Sequence, residues 1–466
     1  MLELIWHLII HEGRRLPTIN DITRTLNIKE DNLESIDYAY KNNHSYYFIK
    51  LVSRGVFCPK CGRYITKVHA YDSINLNHTI FIGFNTTIIY KRRRYICPDC
   101  NVTKSEQNPF QSTHPKLTSE TVKNVLKLLK THTATFSHVA KTLNISPTMA
   151  QQIFDEHVQI ERKPLSTALC LDEFYFSRRS KHKYACLLIN FKNGLLLDVI
   201  ESRKKGSLRA YFRSIPLPER EKVRYISIDL YDNYRNIARI YLPNAIICAD
   251  RFHVMKIING ALNKIRCKVM NAYEENKKSD EYYLLKHKND LLFKDSLKIN
   301  DEEADSNRHF RMRYTEGQLL EMMLNIDERL KIAYNLKELY CYFCEVELTT
   351  EEREDLLETI INEFKLSNVE EMTSVSTTLQ NWKHEIINSF STFDGRKISN
   401  GPIEGRNKLV KLVLQIANGY TNFKRFRNRI MYVLNKHETY SEDVLDSSKI
   451  RNAGNLRGNY NQKKKK

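Results

Sequence analysis

The sequence predicts a multidomain α+β protein, and three observations predict it. Two Cys-x-x-Cys pairs with 35 residues between them, Cys58/Cys61 and Cys97/Cys100, mark a small metal-stapled module toward the N-terminus. Two β-forming runs that each carry an aspartate, TALCLDEFYF and VRYISIDLYDNY, mark a mixed α/β centre. Between residues 270 and 395 apolar residues recur three and four apart, as in EGQLLEMMLNIDERLKIAYNLKEL, which marks a block of helices. A chain of 466 residues has length for three or four such domains.

Residues 1–50 form an N-terminal segment, and the role of residues 1–28 within it is open. Its apolar stretch LIWHLII is short, has Glu3 before it and lacks a small-residue cleavage site, so no signal peptide is expected. Residues 51–112 resemble a zinc ribbon, in which four thiolates surround a structural Zn²⁺ and the metal supplies folding energy that a small module lacks. Two disulfides of a secreted module are the alternative, and the missing leader argues against them. With the other cysteines read as small apolar residues (Cys170, Cys186, Cys248, Cys267) or packed on one helix face (Cys341, Cys344), the expected compartment is a reducing cytoplasm. Between the two pairs, TIFIGFNTTIIYKRRRYIC reads as strands carrying the basic run Lys91, Arg92, Arg93 and Arg94, either a phosphate contact or a solvated face. Residues 116–162 supply a helix and then a helix-turn-helix pattern. FSHVAKTL breaks at Asn144-Ile145-Ser146, Ser146 caps a second helix, and Thr148, Gln151 and Gln152 either face base edges or belong to a unit that merely packs.

The linker ERKPLST leads into the first part of a core at residues 165–268. There Asp172 shares a strand face with Cys170 and Phe174, and Asp229 shares one with Val223, Tyr225 and Ser227. The 57 positions from Asp172 to Asp229 accommodate two further strands, KYACLLINF and GLLLDVIES, and a helix around SLRAYFRSI. Asp250 lies in AIICADRFHV, three residues before His253. From Asp229 to Glu404 is 175 positions, so Glu404 returns only after an insertion at residues 269–395, expected to be all-helical. Residues 396–440 complete the core with SNGPIEGRNKLVKLVLQIANGY, where Gly401-Pro402 starts a helix and Gly419 stops it. Glu404, Asn407, Lys408 and Lys411 line its polar face, and Lys408 and Lys411 are candidate DNA contacts. A basic tail at 441–466 ends in Lys463 to Lys466 and adds non-specific affinity for DNA.

Acids from two strands and a helix suit phosphodiester chemistry. Two divalent cations about 3.5–4 Å apart prefer carboxylate oxygens, so the expected cofactors are two Mg²⁺ or Mn²⁺ ions at Asp172, Asp229 and Glu404. Each acid alone has a plainer reading: a strand-end aspartate forms turns, and a glutamate near the third helical position caps. Trp382 either stacks on a base or fills core, and Arg251 either contacts a strand of DNA or neutralises an acid.

DEFYF, the run ISIDLYDNYRNIARIYLPNAIICADRFHVMK, and SNGPIEGRNKLVK followed by NGYTNFKRFRNRI resemble the signatures of the ISL3 type of bacterial insertion-sequence transposases, from roughly residue 30 to residue 435. The resemblance implies a DDE-type transposase with a ribonuclease-H-like core, with Asp172 and Asp229 as the two aspartates and Glu404 as the final glutamate. It implies double-stranded DNA as partner, both terminal inverted repeats and target, and a homodimer that synapses two ends. Asp250 and His253 resemble an Asp-x-x-His motif found beside the second aspartate, either bracing the site or ligating directly. Two other functions fit the same residues: a non-catalytic DNA-binding regulator derived from a transposase, and a structure-selective nuclease of the same fold. A net charge of +19 and a pI near 9.3 predict a polyanionic partner bound in a salt-dependent way, and no stretch is apolar enough to cross a membrane.

Overall fold

The computed structural model describes residues 23, 28, 30–81, 84–110, 112–178, 180–441 and 444. LIWHLII and the lysines of the basic tail lie outside these. The chain divides into two compact units, one of residues 1–161 with 412–466 and one of residues 162–411.

In the first unit β1 (Leu33–Lys41) and β2 (His44–Leu51) form a hairpin whose two-residue turn holds Asn42 and Asn43 at positive φ, as a type I′ turn requires. Two short strands follow, β3 (Val56–Phe57) and β4 (Tyr64–Ile65), then the long antiparallel pair β5 (Val68–Phe81) and β6 (Phe84–Ile96). The sheet runs β1-β2-β6-β5, with β7 (Thr103–Ser105) also on β6, and β2 lies parallel to β6. The expected boundary at residues 50/51 therefore cuts through β2: the supposedly separate N-terminal segment donates a hairpin to the sheet. Its inner face buries Tyr47, Ile49, Leu76, Ile88, Tyr90 and Phe110 together.

The basic run on β6 does not form one surface. Arg93 is buried, 2% exposed, and ion-paired with Glu34 and Glu106. Arg92 and Arg94 lie on the opposite strand face from Arg93 and both clamp Asp72 of β5, at 3.3 and 2.8 Å. Arg93 is thus a structural residue rather than a phosphate contact, which corrects the sequence expectation, and the other two already have a carboxylate between them.

Three helices follow the sheet, α1 (Ser119–Leu128), α2 (Phe136–Thr142) and α3 (Pro147–His157). Each is capped alike: the Thr118, Thr135 and Ser146 hydroxyls accept the backbone N–H of Thr121, His138 and Met149. Asn144, at φ 52°, makes the turn between α2 and α3. Thr148 is exposed, but the other two residues expected at base edges are half-buried and already bonded: Gln151 accepts from Arg425 at 3.1 Å and Gln152 donates to Glu156 at 2.8 Å.

The helix Phe423–Leu434, expected to complete the core, belongs instead to this first unit. Arg425 grips Asp155, Lys130 Nζ donates to the carbonyls of Tyr432, Asn435 and Glu438, and Arg429 Nη2 donates to those of Thr131 and Ala134, both at 2.8 Å. Arg425 and Arg429 are therefore internal fasteners of this unit. Arg429 is fully buried, so Arg429→Ala is expected to lower the unfolding free energy by about 3 kcal/mol or more, through two orphaned carbonyls and a cavity. An unchanged midpoint in urea would remove Arg429 from that role.

The second unit is built on a mixed sheet of β8 (Ala168–Tyr175), β9 (Tyr184–Asn190), β10 (Leu196–Ile200), β11 (Tyr225–Ile228) and β12 (Ile246–Ala249). Its order is β10-β9-β8-β11-β12, with antiparallel pairing among the first three and parallel pairing of β8, β11 and β12. The strands are apolar on both sides (β10 is buried throughout), as a sheet covered by helices requires. Helices α4 (Lys205–Arg213) and α5 (Asp232–Tyr241) connect the strands, and α6 (Arg251–Asn271) leaves from the end of β12.

The insertion after α6 contains the helices Asp280–His287, Glu316–Leu324, Glu328–Glu345, Thr350–Leu366 and Glu370–Asn381. It is not all-helical. Antiparallel pairs join Asp305–Asn307 to Met312–Tyr314 and Thr392–Phe393 to Arg396–Lys397, strands too short to show a period. Its apolar residues are continuous with those of the sheet in one core that runs from Leu169 and Ile228 to Tyr340, Phe343 and Ile387. Trp382 is buried there under the Arg235 guanidinium, 4.2 Å from its ring centroid. Among the described residues no helix is long and apolar enough to cross a membrane.

Candidate active site

Sheet register sets the acids side by side. Leu171 stands opposite Ile228, and Ile228 opposite Ala249, in the parallel pairs. Asp172, Asp229 and Asp250 each follow one residue later, so three carboxyls meet in one row as β11 and β12 end. The helix α7 (Gly401–Ile416) comes back beside this row.

Two asparagines hold the row in place. Asn400, just before α7, donates its side-chain amide to Asp229 Oδ1 at 3.0 Å and its backbone N–H to Asp250 Oδ1 at 3.2 Å. Asn407, on α7, donates to Asp172 Oδ2. The amide oxygens of both are buried and unpartnered. His253, from the first turn of α6, places Nδ1 2.8 Å from Asp250 Oδ2 and 3.0 Å from Asp229 Oδ1.

Electrostatics make this row a cation site. Among the described residues no lysine or arginine pairs with Asp172, Asp229 or Asp250; the ion-pair partner of Asp229 and Asp250 is His253. Burial first, and then the charge of Asp172, pushes the Asp229 carboxyl up to about 9. Asp172 is also raised by burial, opposed by its hydrogen bond to Asp229. Without a cation the two carboxyls share a proton, because two buried negative charges this close repel. Ligand atoms of Asp172, Asp229 and His253 lie within 4.8 Å of one another, close enough to converge on one ion.

Glu404 lines the same cleft, which has a volume of about 640 Å³, but it is not in that ligand group. Its side chain is 63% exposed and reaches Lys408 one turn along α7, at 3.0 Å. Lys408 and Lys411, both exposed, also line the cleft. His253, read from sequence as either a brace or a direct ligand, bonds Asp250 as a brace would and also stands among the potential ligands. Asn400 and Asn407 were missed as site residues, although Asn407 falls on the same helical face as Glu404, three residues on. Replacing Asn407 with alanine removes a donor to a carboxylate and is expected to weaken Mn²⁺ binding by about 10- to 100-fold. Unchanged affinity in an electron paramagnetic resonance titration would show that the amide does not orient Asp172.

The four cysteines of the ribbon segment form the second metal-competent group among the described residues, again with ligand atoms within 4.8 Å of one another. The two knuckles share one backbone design. The Cys58 and Cys97 N–H groups donate to the carbonyls of Arg63 and Val102, five residues on, while Gly62 and Asn101, both at positive φ, donate back to the Cys58 and Cys97 carbonyls. Backbone N–H groups of Cys61 and Lys60 pull the Cys58 thiol down to about 7, whereas hydrogen bonding to Cys61 lifts Cys100 to about 12. Four sulfurs so close ionise together only around a cation, and an all-thiolate tetrahedral donor set fits Zn²⁺. Cys341 and Cys344 belong to neither group; burial raises both thiols to about 11.

Two family profiles match the chain. The profile of the ISL3 transposase family, with its DDE label, matches residues 169–430, more than half of the chain. A second profile, described as the zinc-finger of transposases IS204, IS1001, IS1096 and IS1165, matches residues 54–100. Among individual proteins, the chain is similar to the transposase for insertion sequence element IS1001 of Bordetella parapertussis, 20% identical over 269 residues, or 54% of this chain and 64% of the relative. It is also similar to the transposase for insertion sequence element IS1557 of Mycobacterium tuberculosis, 25% identical over 117 residues, about a quarter of either chain. The matches thus span less than two thirds of these relatives.

Proposed function

The chain belongs to the ISL3 family of transposases, and we propose that it acts as a DNA transposase on the terminal inverted repeats of its own element. The observation that carries this reading is the row of Asp172, Asp229 and Asp250 with His253 beside it. The strand order β10-β9-β8-β11-β12, three antiparallel strands followed by two parallel ones, supports a ribonuclease-H-like core. The pair α2 and α3, capped by Thr135 and Ser146, supports a helix-turn-helix role for residues 116–162, with Thr148 as its exposed candidate for base contact.

Asp172 and Asp229 would hold Mg²⁺ or Mn²⁺ through hard oxygens, with His253 or Asp250 completing the shell. Glu404 joins them when its side chain turns from Lys408 toward the floor of the cleft. Bound divalent cations supply activation of the attacking hydroxyl and stabilisation of charge on the phosphodiester. Asn400 and Asn407 fix the carboxyl orientations, and Lys408 and Lys411 receive the phosphate backbone. Water would first cut the strand at the element end, and the freed 3′-hydroxyl would then attack target DNA in line. Two ends must meet, so the working form is a homodimer. Ten cysteines without a disulfide suit a reducing cytoplasm.

The test is incubation of the protein with a duplex carrying an element end and Mn²⁺, followed for nicked and joined strands. Joined product supports transposition. Binding without nicking would make the chain a regulator, and hydrolysis without joining would make it a nuclease.

A further inference from the structure

Large apolar side chains left in water are unremarkable singly, but two of them share the cleft of the acids. Phe252, between Asp250 and His253 on the first turn of α6, is 65% exposed. Its ring stands edge-on to the His253 ring, with centroids 5.7 Å apart. Tyr175 lies three residues beyond Asp172, at the end of β8, and is 47% exposed. It meets Tyr184 edge to face at 5.6 Å, and the Arg203 guanidinium lies 4.2 Å from the Tyr184 ring centroid while bonding to Glu173.

Both rings are held on regular elements, and neither fills core. Between them the cleft has acids on its floor and the exposed ammonium groups of Lys256, Lys408 and Lys411 on its rim. Cations on the rim match phosphates, and rigid aromatic faces match the flat faces of nucleobases. A base paired within a duplex hides both of its faces, so a ring can stack on it only after it leaves the stack.

We propose that Phe252 and Tyr175 are base-stacking residues, which receive nucleobases of a DNA strand unstacked beside the scissile phosphodiester. The inference rests on the reading of the acid row as a phosphodiester-cleaving site. It adds that the substrate at the moment of reaction is locally single-stranded. Stacking on aromatic side chains tolerates any base, so the site selects distorted DNA by shape rather than by sequence.

The experiment uses the full chain with Asp229→Asn, so that nothing is cut, and a short thymidine oligonucleotide carrying one 2-aminopurine, whose fluorescence falls when it stacks. Binding is expected to quench the probe. Adding Phe252→Ala should remove most of the quench and weaken binding about 5- to 100-fold, whereas Phe252→Trp should retain both. Tyr175→Ala should act in the same direction. Equal quench and affinity in both alanine variants would overturn the proposal, as would a Phe252→Ala variant whose only change is loss of dimer in sedimentation, which would assign the ring to a contact between copies. Because the readout is a bound strand, it is independent of cleavage. Wild-type nicking with an unaffected quench sinks stacking alone, and stacking without wild-type nicking sinks the catalytic reading alone.

Discussion

Replacing Asp229 with alanine is expected to abolish divalent-cation-dependent nicking, by on the order of 10³-fold or more, while DNA binding persists. Asp229 is the middle member of the row and touches both Asn400 and His253. Asp229→Asn is the cleaner probe, since alanine also strips Asn400 of its acceptor, at a cost of about 1–3 kcal/mol. Retained nicking in the asparagine variant would exclude Asp229 from the chemistry. The same residue predicts a pH dependence. Its pKa in the cation-free fold is about 9, against about 3.9 in an unfolded chain. The folded protein therefore holds a proton that the unfolded chain has lost, and the stability from that proton is full below about pH 3.9, falls as pH rises from there, and is gone above about 9. A divalent cation takes the proton's place, so the thermal stabilisation given by Mn²⁺ should grow between about pH 7 and pH 9. A stabilisation that stays constant across that window would contradict the raised pKa.

Removing the metal from the cysteine site should unfold the ribbon. Its apolar core is small, gathered around Cys58, Ile65, Tyr95 and Cys97, and its short strands leave Phe57 and Tyr64 exposed. Structural Zn²⁺ contributes about 10–16 kcal/mol to such modules, far more than that core supplies. Cys97→Ser is expected to lose the ion and the order of residues 56–65, read as protease cutting there, while the second unit keeps its melting transition. Co²⁺ substitution offers a spectroscopic check, because four thiolates give intense charge-transfer bands. A Cys97→Ser protein that still carries one zinc per chain would refute the assignment.

Much of this was legible because the relevant signals are local. An acid within an apolar strand, a Ser-Pro helix start and paired Cys-x-x-Cys motifs are all short-range patterns. What escaped depends on long-range pairing. The residues of β2 alternate like any strand's, with Ser45, Tyr47 and Ile49 buried, but its partner β6 arrives much later in the chain. Arg93 and Arg94 look alike in a run of four basic residues, and only the sheet decides that one is buried and the other exposed. The fastening by Arg425 and Arg429 leaves no local signal because their partners Asp155, Thr131 and Ala134 lie far upstream. The hairpin at residues 392–397 did carry a signal: Asp394-Gly395, both at positive φ, is a favoured type I′ pair. Asn400 and Asn407 had none of that kind, since an amide donor becomes informative only once its carboxylate is known.

The bond from Asn407 to Asp172 spans 235 residues, and this has a consequence for biosynthesis. At about 5–20 residues per second, translation needs roughly ten to fifty seconds to travel from one to the other. Throughout that interval the nascent polypeptide carries its aspartates without the amides that aim them. A ribosome that stops before Asn400 would release a chain whose aspartates lack both amides, so the complete row of acids forms only once α7 has been made.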